Sequence, residues 1–238
     1  SEMFSPELLG MASAIGIQKG KPFNPSFAQK KLLTEAVAIG NATARSILFS
    51  PQDPKAYIYP GKAGFWQTGF PGGSHEYLVN GGNGGRDMDS RTLFFYLATV
   101  NTPAMVLELP GVGSQYAFSS RDSSGAYLDG SKTYKVNIPA NPPANRFWSF
   151  VVYDPQTRSM LQSKEMPYPS KNNKRNTEMA KNTDGSIDLY FGPEAPAGKE
   201  ANWVKTVPGK GWFGIFRLYG PGQEWFDRSW KLGAIEQL

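Results

Sequence analysis

Residues 147–153, FWSFVVY, are apolar on both faces of an extended chain except at Ser149. Aromatic and β-branched side chains favour strands. A strand lacking a polar face belongs in the interior of a sheet. This run is therefore expected to be a central strand. The preceding PANPPAN cannot lie in a central strand and reads as a loop. After it, DPQT is a turn with Pro at its second position, and Arg158 to Gln162 is expected to return as the second arm of a hairpin. Any site role for this stretch is secondary to that one.

The pattern around it is β from residue 110 onward. Gln115 to Ser119 reads as a short strand, followed by DSSG and LDGS turns. Thr133 to Ile138 puts Tyr134, Val136 and Ile138 on one side and Lys135 and Asn137 on the other, a half-exposed strand. DGSIDLYFGP and GWFGIFRLYGP each read as turn, strand and Gly-Pro stop. These intervals suit a β-sandwich or jelly roll.

Before residue 110 the spacing is helical in three places. Residues 5–16 begin Ser-Pro-Glu, a cap with Pro at the first helical position. Residues 25–49 place Phe27, Lys31, Leu32, Ala36, Ile39 and Thr43 near one face, with Gly40 and Asn41 as a point of bending. Residues 87–99 open with acids that suit a helix N-terminus. The glycine-dense stretch 57–87 between them predicts loops and turns. The expected fold class is α+β, with N-terminal helical segments packed on a C-terminal antiparallel β-sandwich of jelly-roll type. The expected division is 1–110 and 111–238.

With 238 residues the chain can bury a sizeable core. It has no cysteine, which excludes disulfides, thiolate metal sites and a cysteine nucleophile. The net charge of +5 is mildly basic. Its densest basic run, KNNKRN at 171–176, lies among Asn, Ser and Pro and reads as a solvated loop, with polyanion contact as the sharper alternative. Nucleic-acid binding is not expected. No segment approaches the roughly 18 apolar residues of a membrane span. No signal-peptide pattern opens the chain, so an exported protein would have had its signal removed or left out.

Candidate chemistry is sparse. His75 is the single histidine, so a metal cluster built on histidines is excluded, and a lone His in a Gly-rich loop is ordinary surface. Asp184, Ser186 and Asp188 have the spacing of oxygen ligands, but Asp-Gly before a strand is a common turn. Asp87 and Asp89 suit helix capping better than metal binding. NGGNGGRD and GVGSQY lack the Gly-Lys-Ser/Thr ending and the preceding strand of a phosphate loop. No metal and no cofactor are expected.

Six tryptophans either fill the sandwich core or, where exposed, stack on sugars or aromatic ligands. Trp203, after Asn202 in a polar loop, has the best placement for a ligand. Arg217 sits among apolar residues in GIFRLYG, where an enclosed Arg pairs with a carboxylate. Arg158 can reach Asp154 across its turn. The alternative for both is a fork that holds a substrate carboxylate or sulfate.

NRFWSFVVYDPQTRSML, DSSGAYLDGSKTYKV and the long stretch from NTDGSIDLYFGP to FRLYGP together resemble the bacterial domain-of-unknown-function family numbered 1214. GIQKGKPFNP, AVAIGNATARSI and TPAM extend the resemblance over essentially the whole chain. In that family the domain commonly follows another, numbered 1254, in a longer exported protein. The resemblance implies that this chain is the C-terminal half, that the N-terminal half is its partner, and that its location is periplasmic or secreted. It also implies a jelly-roll-like β domain similar in architecture to glycan-amidase domains, and it supplies no activity.

The expected function is a β-sandwich module that binds its partner domain and a glycan or small anionic ligand. Trp148, Arg158, Trp203, Arg217 and Tyr219 are the candidate ligand residues. A second copy of the chain is left open as a partner. The alternative is a hydrolase or lyase acting on a saccharide or amide. It would draw on Asp154, Asp184, Asp188 or Glu200 converging with Trp203 and Arg217. Whether the protein is an enzyme is undecided at this level.

Overall fold

The apolar run does lie in the middle of a sheet. A computed structural model describes residues 6–98 and 100–238. In it, strand β3 (Ala144–Tyr153) lies between β7 (Phe213–Pro221) and the short β4 (Ser170–Asn172), and β1 (Ser114–Ser119) pairs on the far side of β7. All three pairings are antiparallel, with Phe150 opposite Phe216 and Ser149 opposite Arg217. A second sheet has the order β6 (Trp203–Lys205), β5 (Ile187–Gly192), β2 (Tyr134–Ile138) and β8 (Ile235–Gln237). Only its β5–β6 pair is parallel. The protein is thus α+β, with two mostly antiparallel sheets.

The two sheets share one core. Alternate residues Trp148, Phe150 and Val152 of β3 join Phe216 and Leu218 of β7, Tyr134, Val136 and Ile138 of β2, and Leu189 and Phe191 of β5. The rings of Phe150 and Phe191 meet across the interface at 4.7 Å. Each such side chain contributes about 2–3 kcal/mol by leaving water. Five of the six tryptophans are buried, so the core reading holds for them, while Trp203 is half-buried.

The expected hairpin is not formed as a pair of strands. After Tyr153 the chain turns at 154–158, with Arg158 in the left-handed region at φ 59°, and makes only an isolated bridge between Tyr153 and Met160. The edge next to β3 is taken instead by β4, which begins the basic run. That run is therefore not simply a solvated loop. Lys171 is buried on β4, with its ammonium 3.9 Å from Glu178. Burial pushes its pKa down, with Glu178 opposing. Lys174 and Arg175 do lie in the exposed turn that follows.

Three of the helices answer to the expected spacing. Helix α1 is Pro6–Ala14, and the predicted cap at Ser5 lies outside the described residues. Helix α2 (Phe27–Phe49) runs unbroken through Gly40 from an N-cap at Ser26, whose hydroxyl accepts from the Gln29 amide. Its apolar stripe is not covered, because Phe27 is 87% exposed, Leu32 66% and Ile39 68%. Only the last turn is buried, through Leu48 and Phe49. The Ala/Leu/Lys/Glu content sustains the rest.

Helix α3 (Met88–Leu97) starts at Asp87, whose carboxylate accepts from the Ser90 amide at 2.9 Å and the Ser90 hydroxyl at 2.7 Å. Asp87→Ala is expected to cost about 1 kcal/mol in urea denaturation. Two short helices, α4 (Pro103–Val106) and α5 (Gln223–Phe226), complete the set. Leu48, Phe49 and Leu93 cover Phe118, Phe213 and Ile215 on the outer face of the first sheet.

Candidate functional site

Alternation along β7 turns Phe216 and Leu218 toward the core and leaves Phe213, Ile215, Arg217 and Tyr219 on the outer face. The register brings Tyr116 of β1 opposite Arg217 on one side, and Tyr153 of β3 opposite Phe213 on the other. Helix α3 covers only part of this face. Between it and the sheet lies a cavity of about 250 Å³. Phe94 and Leu97 of α3, Phe70 from the glycine-rich stretch and Met105 of α4 line one side. Tyr116, Phe118, Tyr153, Phe213, Ile215 and Arg217 line the other, and Arg158 also contributes. Phe70 stacks on Phe94 at 4.5 Å, which fixes the aromatic wall.

Arg217 is the polar centre of the cavity. Its Nη2 donates to the Tyr153 hydroxyl at 2.5 Å, and its guanidinium lies 5.6 Å from the Tyr116 ring. Its Nε is buried without an acceptor. Among the described residues no carboxylate pairs with it, contrary to the expectation from its enclosure. Burial works against its charge, but the surrounding Tyr153, Tyr219 and Tyr116 outweigh that, and its pKa lies above the ordinary arginine value. It is cationic at any working pH. Burial raises the Tyr153 hydroxyl pKa, with Arg217 opposing, so Tyr153 is neutral near pH 7 and keeps a proton to donate.

Arg158 reaches the same cavity from the turn after β3. Its guanidinium stacks 4.2 Å over the Tyr96 ring, and its Nη1 donates to the Gln156 carbonyl at 2.7 Å. It does not pair with Asp154. That carboxylate accepts instead from Lys210 at 3.0 Å and from the Gln156 amide at 2.7 Å. The left-handed backbone at Arg158 directs its side chain away from the turn's own acid.

The remaining candidates do not line the cavity. Tyr219 follows Arg217 on the same face, half-buried, with its ring stacked on Phe147 at 4.0 Å. Trp148 points into the core between the sheets. The Trp203 indole N–H donates to the Gly192 carbonyl at 3.0 Å, so its polar handle is already engaged. The carboxylates do not converge. Asp184 caps the Ser186 amide, Asp188 accepts from Asn137, and Glu200 accepts from the Gly198 amide. None of these, nor Asp154, lines the cavity. His75 offers its carbonyl to Asn101 and is also outside it.

Tyr116, Tyr153, Phe70, Phe94 and Met105 were not foreseen. The only signal for Tyr153 was its place in step with the outer-facing residues of β3. The strand order that sets it beside Arg217 is not written in either segment.

Residues 113–223 match the model of the DUF1214 family, described as a protein of unknown function. The DUF1214 stretch includes β1 through β7 and holds Tyr116, Tyr153, Arg158 and Arg217, while α3 and α4 lie before it. Among solved structures, the chain is similar to the VPA0106 protein from Vibrio parahaemolyticus, at 20% identity and a TM-score of 0.49, over 98% of this chain and 50% of that one. It is also similar to an uncharacterised protein from Burkholderia cenocepacia, at 16% identity and a TM-score of 0.41, over 98% of this chain and 48% of the other. The chain thus spans about half the length of these two solved chains. No curated protein matches it.

Proposed function

We propose that this chain is a binding module whose cavity between α3 and the first sheet takes a small anionic ligand with an apolar body. The observation that carries this reading is Arg217, a cation without a carboxylate partner among the described residues, set in a wall of aromatic and aliphatic side chains. A charge removed from water is costly unless paired. A ligand carboxylate supplies the pair and accepts charge-assisted hydrogen bonds from the guanidinium. Tyr153 adds a neutral donor, and Arg158 adds positive charge at the same cavity. At about 250 Å³ the space is at the small end for ligand pockets, so the ligand is small.

Calorimetric titration with benzoate, hexanoate and benzyl alcohol tests this. The two carboxylates are expected to bind saturably and benzyl alcohol at least about tenfold more weakly, the difference of one charge-assisted contact. Equal affinity for benzoate and benzyl alcohol, or no binding by either acid, would sink the proposal. Scattered carboxylates give the hydrolase or lyase alternative no comparable support.

A second reading concerns the helical arm. The uncovered stripe on α2, with Phe27, Leu32 and Ile39 exposed, favours docking of a further N-terminal domain on this helix. That is the arrangement the exported, two-domain family resemblance implies. Native mass spectrometry of the full-length protein after limited proteolysis checks it. Two fragments that stay associated support docking, and fragments that separate at once argue against it.

A further inference from the structure

Among the described residues, two arginines and no acid line the cavity between α3 and the first sheet. Both arginines are half-buried, so each keeps accessible surface there. Their hydrogen-bond partners are neutral. Arg217 donates through Nη2 to the Tyr153 hydroxyl, and Arg158 donates through Nη1 to the Gln156 carbonyl. Neither is paired with a carboxylate among the described residues. Like charges at one small enclosure repel, and partial burial weakens the screening of that repulsion. A single carboxylate answers one guanidinium fork and leaves the other cation uncompensated.

The backbone at Arg158 is an independent observation. Its φ of 59° lies where glycine or asparagine fits with less strain than arginine. The turn is already closed without this side chain. The Arg158 amide donates to the Asp154 carbonyl at 2.7 Å, and the Asp154 carboxylate accepts from the Gln156 amide. Turn geometry therefore does not select an arginine here, and backbone strain of this kind gathers at functional positions. The rest of the lining is largely apolar, with Phe94, Leu97, Met105, Phe213 and Ile215. A bare inorganic anion would leave that wall uncovered.

We infer that the ligand is a dicarboxylic acid with a short apolar spine, one carboxylate held by Arg217 and the other by Arg158. This rests on the anion-binding reading of the same cavity and narrows it. Arg217 supplies the anchor, and Arg158 sets the preference for a second charge.

Calorimetry tests this with succinate, glutarate, adipate and suberate, each against the monoacid of the same carbon count: butyrate, pentanoate, hexanoate and octanoate. At least one diacid is expected to bind about tenfold more tightly than its monoacid, the effect of one further charge-assisted contact. Arg158→Asn, which suits the left-handed backbone, is expected to fold normally and to bring that ratio close to one. Arg158→Lys keeps the charge and is expected to retain part of the preference. The turn also walls a second cavity, of about 420 Å³ between α2 and the loops before β7, through Pro155 and Gln156. A mere shift of the turn moves both acids of a pair alike, so the ratio is the readout. If monoacids bind and no diacid exceeds its partner, the inference is overturned and the anion-binding reading stands. If no acid binds, both fall. Sulfate binding as tightly as the best diacid, or a diacid preference that survives in folded Arg158→Asn, overturns the inference as well.

Discussion

Phe150→Ala is expected to destabilise the fold by about 4 kcal/mol, read as a lower urea midpoint at an unchanged slope. Phe150 is fully buried where the sheets meet. Its ring contacts those of Phe191 at 4.7 Å, Trp66 at 6.2 Å and Phe216 at 6.5 Å. These partners come from both sheets and from the glycine-rich stretch, so they cannot all collapse into the space left behind. The backbone at Gly214 sets the limit on the other side. A methyl group there would approach the Phe150 ring to 2.4 Å. Gly214→Ala alone is therefore expected to cost about 1–3 kcal/mol through overpacking. With Phe150 already shortened, the same methyl group has room, and the double variant is expected to be more stable than the two separate losses predict. Simple additivity within a few tenths of a kcal/mol would show that the two residues do not share this space.

Arg217→Met is expected to weaken benzoate binding at least about thirtyfold, which corresponds to roughly 2 kcal/mol for a charge-assisted hydrogen bond. Stability should be unchanged or higher by about 1 kcal/mol, because an apolar side chain of similar length replaces a poorly compensated charge. The opposite behaviour belongs to a structural arginine. Truncating one member of a buried ion pair costs roughly 3–5 kcal/mol, but no carboxylate pairs with Arg217 among the described residues. A strongly destabilised variant, or one that retains benzoate affinity, would remove Arg217 from the proposed site. Equilibrium denaturation and calorimetry on the same preparation separate the two cases.

Strand identity was legible wherever burial imposed a two-residue period or a fully apolar run, as in Tyr134–Ile138 and Phe147–Tyr153. Short edge strands were not. β4 carries Lys171 within an Asn-rich run, and its burial depends on Glu178 and on the neighbouring β3. β6 and β8 have three residues each, too few to show a period. The enclosure of Arg217 could be read from GIFRLYG, but its hydrogen-bond partner could not, since Tyr153 lies 64 residues away. The expected Arg158–Asp154 pair failed for a related reason. Proximity along the chain favoured it, whereas folding brings Lys210 to Asp154 from 56 residues away. The stripe on α2 was legible as a pattern, but its pattern does not specify what covers it.

The turn after β3 is a wall with two sides. Arg158 faces the arginine cavity, while Pro155 and Gln156 face the other one and are held there by Arg45 from α2. A substitution within 155–158, or at Arg45, therefore alters both chambers at once, and an affinity taken for one ligand alone cannot be attributed to either. Arg217 and Ser120 each belong to one chamber only. Variants at positions of this kind have effects that can be assigned to a single compartment.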